Sequence, residues 1–90
     1  MNLPDYSRAR ATIKHIAKYV NTRDERYLHL AGVVLTMAPD QGVTLNRIAR
    51  VLARKPDAHL DAMVRAMDMT DGILAFPIRS KVQELRVVRA

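Results

Sequence analysis

The sequence predicts a single, mainly α domain of four helices followed by a C-terminal β-hairpin, and three observations carry that expectation. Apolar residues recur at steps of three and four through four segments, the mark of helices with one buried face. Proline, glycine and aspartate cluster between them, from Ala38 to Gly42, at Lys55-Pro56-Asp57 and at Gly72. Beyond Gly72 the helical spacing gives way to a short apolar run broken by Pro77. With 90 residues the chain has room for one core, so residues 1–90 form one domain.

The first helix runs from Pro4 to Val20, with Tyr6, Ala9, Ile13, Ile16 and Val20 as its apolar stripe and Arg8, Arg10, Lys14 and Lys18 on its other faces. Pro4 suits a first turn, where its missing N–H costs nothing. Thr22 and Glu25 have the spacing of a capping box and start the second helix. Tyr27, Leu28, Ala31, Val34 and Leu35 keep its period, and Leu30, Val33 and Met37 widen the apolar face, so this helix is expected to be buried on most sides. A third, short helix starts at Thr44 as N-cap, with Leu45, Ile48, Ala49 and Leu52 inward. A fourth carries Leu60, Met63, Val64 and Met67 and stops at Gly72, a natural left-handed residue after a helix. Met37, Met63, Met67 and Met69 read as core filling.

Residues 73–78, Ile-Leu-Ala-Phe-Pro-Ile, are too few for a helix and contain proline, which points to an edge strand. The tail admits two readings. Leu85-Arg86-Val87 alternates like a returning strand, whereas Ser80 with Gln83 would cap a helix carrying Val82, Leu85 and Val88. The alternation favours the hairpin.

Fifteen Lys and Arg against nine Asp and Glu leave a net charge of +6, an excess that attracts polyanions and makes nucleic acid the leading partner class. A solubilising face is the plainer alternative. The longest apolar stretch, Leu30 to Ala38, is far short of a membrane span, and no secretory h-region follows the N-terminus. The chain has no cysteine, so it can form no disulfide or thiolate site, and a cytoplasmic location is expected.

The segment Ile48-Ala49-Arg50-Val51-Leu52 resembles the first helix of a helix-turn-helix unit. Leu60, Met63-Val64 and Met67 match the buried positions of its recognition helix, and Gly72-Ile73-Leu74 resembles the lead into a wing. On residues Thr44 to Leu74 the chain is similar to winged helix-turn-helix regulators of MarR type. The wing tip at Arg79-Ser80-Lys81 departs from that pattern, lacking the glycine or asparagine of a tight hairpin.

The resemblance implies a recognition helix in the DNA major groove with Ala58, His59, Asp61, Ala62 and Arg65 outward, Arg65 being suited to guanine and His59 to a base or a phosphate. Asp57 and Asp61 oppose phosphates, except where Asp57 caps the helix. Phosphate contacts are expected from Arg47, Arg50, Arg54 and Lys55 and from the tail cations Arg79, Lys81, Arg86 and Arg89, with Thr44 adding a hydroxyl or serving as the cap alone.

The function these features imply is a sequence-specific, double-stranded DNA-binding transcriptional regulator, a repressor or an accessory transcription factor. It would act as a homodimer joined through Tyr6, Ile13, Ile16, Tyr19 and Val20 of the first helix. A module that binds a protein complex is the alternative, motivated by the mixed charge of the presumed recognition helix. Four aromatic residues and no glycine-rich phosphate loop argue against a single-strand platform. His15, His29 and His59 are scattered, Glu25 and His29 alone cannot complete a metal shell, and Ser7 and Ser80 have no evident base. No enzyme activity, metal or cofactor is expected.

Overall fold

A computed structural model describes residues 3–73 and 75–89 of the chain. Five helices follow one another among them: α1 (Leu3–Thr22), α2 (Arg26–Thr36), α3 (Gln41–Leu52), α4 (Asp57–Met69) and α5 (Ile78–Arg89). The α1 helix packs against α2, α3 and α4, α4 lies on α2, and α5 lies on α3. The core is drawn from all five, with Ile16, Leu28, Leu35, Leu45, Ile48, Leu52, Met63 and Val82 fully buried. Each such side chain contributes about 2 kcal/mol by leaving water.

The winged helix-turn-helix expectation, with its C-terminal β-hairpin, is corrected by α5. The described residues contain no β-strand and form an all-α globule. Ile78, Val82 and Leu85 stand at i, i+4 and i+7 and turn one face onto the core, and this burial outweighs the short alternation around Arg86. Pro77 opens the helix, its carbonyl accepting from the Lys81 N–H at 2.9 Å. The helical reading of the tail is therefore the one realised, although α5 starts two residues before Ser80 and leaves Val88 exposed. Ile73 and residues 75–77 are coil, and Leu74 lies outside the described residues.

Three helix boundaries and faces also differ from the sequence reading. The buried face of α1 runs through Asp5, Ala9, Thr12, Ile16 and Tyr19, so Tyr6, Ile13 and Val20 lie at its edge. Two polar residues on this line disguise it: Thr12 returns its hydroxyl to the Arg8 carbonyl at 2.8 Å, and Asp5 serves α3. Asp40, not Thr44, caps α3 by accepting from the Val43 N–H at 3.1 Å. Glu25 makes no side-chain cap. Asp24 instead accepts from the Arg26 N–H at 3.0 Å, and α2 begins one turn later than the capping box implied.

The α2 helix is half-buried. Leu28, Ala31, Gly32 and Leu35 face inward, while Leu30, Val33 and Met37 are exposed. Met63 is core, Met67 packs at its edge, and Met37 and Met69 are exposed. Gly32 lets α4 approach closely, since a Cβ there would sit 2.9 Å from Thr70 Cβ and 3.3 Å from the Ala66 carbonyl. Gly72, at φ 88°, is left-handed as expected, but it stands two residues past the Thr70 C-cap and not directly after the helix, which ends at Met69.

Candidate functional site

The fold sorts the charges. The α3 helix has no acid and carries Arg47 and Arg50, and the one acid of α1, Asp5, is turned inward. Asp5 sits at the start of α3, where its Oδ1 accepts from the Asp40 N–H at 2.9 Å and from the Thr44 hydroxyl at 3.0 Å. The positive end of the α3 dipole explains why a carboxylate without a cation is tolerated there. Its Oδ2 is buried without a partner. Asp5 thereby fastens α1 beside α3 and removes the last negative charge from their outer face.

Between these helices lies a groove of about 380 Å³. Tyr6, Ala9, Ile13 and Val51 make an apolar floor, and Arg10, Lys14, Arg47 and Arg50 form the rim. The Tyr6 ring carries two guanidinium groups, Arg10 at 5.8 Å and Arg47 at 5.6 Å from its centroid. Arg47 Nε is buried with no acceptor. Arg50 also lines a smaller recess with Ala53, Arg54, Leu85 and Val88, which extends the basic track to the end of α3. Among the described residues none of Arg10, Lys14, Arg47, Arg50 and Arg54 forms an ion pair.

The cations expected around α4 and the tail are placed differently. Arg65 donates to the Tyr19 hydroxyl at 2.6 Å and to Glu25 at 3.0 Å, which ties its half-exposed side chain back toward α1. Arg79 pairs with Asp61 at 2.9 Å, and Lys81 lies 3.9 Å from Glu84. Arg86 pairs with Asp57 at 2.8 Å and donates to the Lys55 carbonyl at 3.2 Å, so Asp57 is an ion-pair partner in the first turn of α4 and not its cap. The side chain of Arg89 lies outside the described residues.

Other expected contacts are closed off by burial. Ala62 is 2% exposed and Thr44 0%, so neither can touch a DNA surface in the folded chain. Ala58 and His59 are half-buried, with His59 Nδ1 buried and unpartnered, and α4 as a whole carries Asp57, Asp61 and Asp68 against Arg65. Lys55 remains exposed in the turn before α4. Of the expected dimer stripe, Ile16 is in the core and Tyr19, 6% exposed, is bonded to Arg65. Ile13 and Val20 pack at the core edge, and only Tyr6 is exposed.

The structure thus brings together Arg47, Arg50 and Arg54 from the expected phosphate set and adds Arg10 and Lys14, which sequence reasoning left out of the site. Their signal was present as two cations one turn apart on α1 with no acid at helical spacing beside them. Among the described residues no group of three His, Asp or Glu side chains is placed to hold a metal, and no helix is long and apolar enough to cross a membrane. Compared with family models, curated proteins and solved structures, the chain matches none.

Proposed function

We propose that the chain binds double-stranded DNA through the α1–α3 face, with Arg10, Lys14, Arg47, Arg50 and Arg54 contacting phosphates. The observation that carries this reading is the separation of charge: among the described residues these five cations have no acidic partner, while Arg65, Arg79, Lys81 and Arg86 of α4 and α5 are in ion pairs. Unpaired cations displace condensed counterions from a phosphate backbone, and that release supplies most sequence-independent affinity. Duplex is favoured over single strands because no aromatic platform is open to bases. Tyr6 is engaged by two arginines, Tyr19 is buried, and Tyr27 stacks on His15 with centroids 6.4 Å apart. A role as transcriptional regulator fits such binding, but a base-reading element is not found on α4, where Arg65 is held in place.

The test is fluorescence anisotropy of the protein on duplex and single-stranded DNA over a salt series. Five phosphate contacts predict that log K falls with log salt at a slope of about −4.5 for duplex. Binding that is flat in salt, or absent at low salt, defeats the proposal. A second reading, a module that binds another protein, is favoured by one observation, the exposed strip of Leu30, Val33 and Met37 on α2. If two copies pair, that strip is open to them, whereas Ile16 and Tyr19 of the α1 stripe are buried.

A further inference from the structure

The α1–α3 groove combines two properties that a phosphate-contacting surface alone does not require. Its rim is cationic, yet its floor is aliphatic, made by Ala9, Ile13 and Val51, and its volume of about 380 Å³ is that of a small-molecule site. Backbone phosphates use the cations and leave such a floor without a partner. The Tyr6 ring already carries Arg10 and Arg47, so it is engaged rather than free to stack a base or another flat ring. Arg47 Nε is a buried donor that lacks an acceptor, and among the described residues no ion pair engages the Arg47 guanidinium, so its charge is left for an anion at the rim. Several cations around one opening exceed what a single carboxylate neutralises and match a phosphate, with its charge near −2 and three accepting oxygens.

We propose that this groove binds a small amphiphilic phosphate, its alkyl chain on Ala9, Ile13 and Val51 and its headgroup held by Arg10 and Arg47. The occupant is a soluble alkyl phosphate and not a membrane surface. The ligand site stands on the groove alone. Only its regulatory consequence, competition with DNA for the same arginines, rests on the DNA-binding reading.

The experiment is isothermal titration calorimetry of the full chain with octyl phosphate below its aggregation concentration, alongside inorganic phosphate, octyltrimethylammonium and phosphatidylglycerol vesicles. Octyl phosphate is expected to bind saturably at one site, with inorganic phosphate at least about tenfold weaker because chain burial is lost. Octyltrimethylammonium should give no saturable binding. Arg47→Gln should weaken octyl phosphate by about tenfold, and Arg79→Gln should leave it unchanged. If circular dichroism shows that Arg47→Gln loses helix, Arg10→Gln on the exposed face of α1 makes the same test.

Equal affinity for inorganic phosphate, equal affinity for the ammonium, or no saturable heat overturns the proposal, and a preference for vesicles over free octyl phosphate overturns the choice of a soluble ligand. In a parallel anisotropy arm, octyl phosphate is expected to displace duplex DNA. Ligand binding without any duplex binding sinks the DNA reading and supports the ligand site. Duplex that stays bound at saturating octyl phosphate overturns the shared use of the groove.

Discussion

Two grooves on the surface have the same volume, about 380 Å³ each, and they treat their arginines in opposite ways. In the α4–α5 groove Arg79 and Arg86 meet Asp61 and Asp57 at 2.9 and 2.8 Å, so the charges are used up holding one helix to another. In the α1–α3 groove Arg10, Lys14, Arg47 and Arg50 meet no acid, and the helices are joined instead by the buried Asp5 carboxylate and by apolar packing. A net charge of +6 is therefore not spread evenly. Arg79 and Arg86 of α5 are taken up by the acids of α4, whereas the cations that line the α1–α3 groove stay available to a ligand.

The largest expected effect comes from cutting the buried fastening. Asp5→Ala leaves the buried Thr44 hydroxyl and the part-buried Asp40 N–H without their acceptor, at about 1–3 kcal/mol for the first and less for the second, for a loss of about 3 kcal/mol in chemical denaturation. Asp5→Asn, which keeps an acceptor and removes a buried charge, should cost less than half as much. Equal losses for the two variants would mean that the charge, not the hydrogen bonding, joins α1 to α3.

Next in size is a functional effect that leaves stability alone. The double change Arg47→Gln with Arg50→Gln should lower the salt slope on duplex DNA by about 1.8, and low-salt affinity by more than tenfold, with an unchanged denaturation midpoint. Arg79→Gln with Arg86→Gln is the mirror experiment and should do the reverse, sparing affinity and lowering stability. If both doubles weaken DNA alike, the two grooves are not functionally distinct.

The sequence shows four of the helices plainly because their apolar residues repeat at three and four, and it shows the stops at Pro39, Pro56 and Gly72 because those residues are poor helix formers. It misplaces what depends on tertiary contact. Asp5 and Thr12 lie in the centre of a buried face, and no periodicity of apolar residues can place a polar side chain there; its hydrogen-bond partners come from α3 and from its own helix. The tail reads as a strand because Pro77 and a three-residue alternation are local signals, whereas the burial of Ile78 and Val82 against α3 is not. For the candidate site, Arg47, Arg50 and Arg54 are legible as a basic run. Arg65 and Arg79 are not separable from them in sequence, because their acids lie far along the chain, Glu25 just before α2 and Asp61 on α4.

Single cuts in the α4–α5 groove should be smaller than the doubles. Arg86→Ala removes an ion pair and two carbonyl contacts at the end of α3, to Ala53 and Lys55, and should cost about 1 kcal/mol. Arg79→Ala removes one exposed ion pair and should cost about 0–1 kcal/mol, falling further with salt. A cost for Arg79 as large as that for Arg86 would show that the ion pairs, and not the carbonyl contacts, attach α5.

The smallest effect belongs to a pair outside both grooves. Asp24 sits below its ordinary pKa of 3.8, first because the Arg26 side chain donates to it, then because the Arg26 backbone N–H does. A carboxyl lowered by folding adds stability that is present above its unfolded pKa and fades as pH falls through the folded one. The window therefore lies below 3.8, and the pair contributes nothing that changes with pH near neutrality. Carboxyl titration by NMR should place the Asp24 midpoint under 3.8 in the native chain and move it part of the way back in Arg26→Ala, where the backbone N–H still donates. A full return would assign the shift to the guanidinium alone. That result would make this pair, like Arg79–Asp61, a side-chain contact with no part in starting its helix.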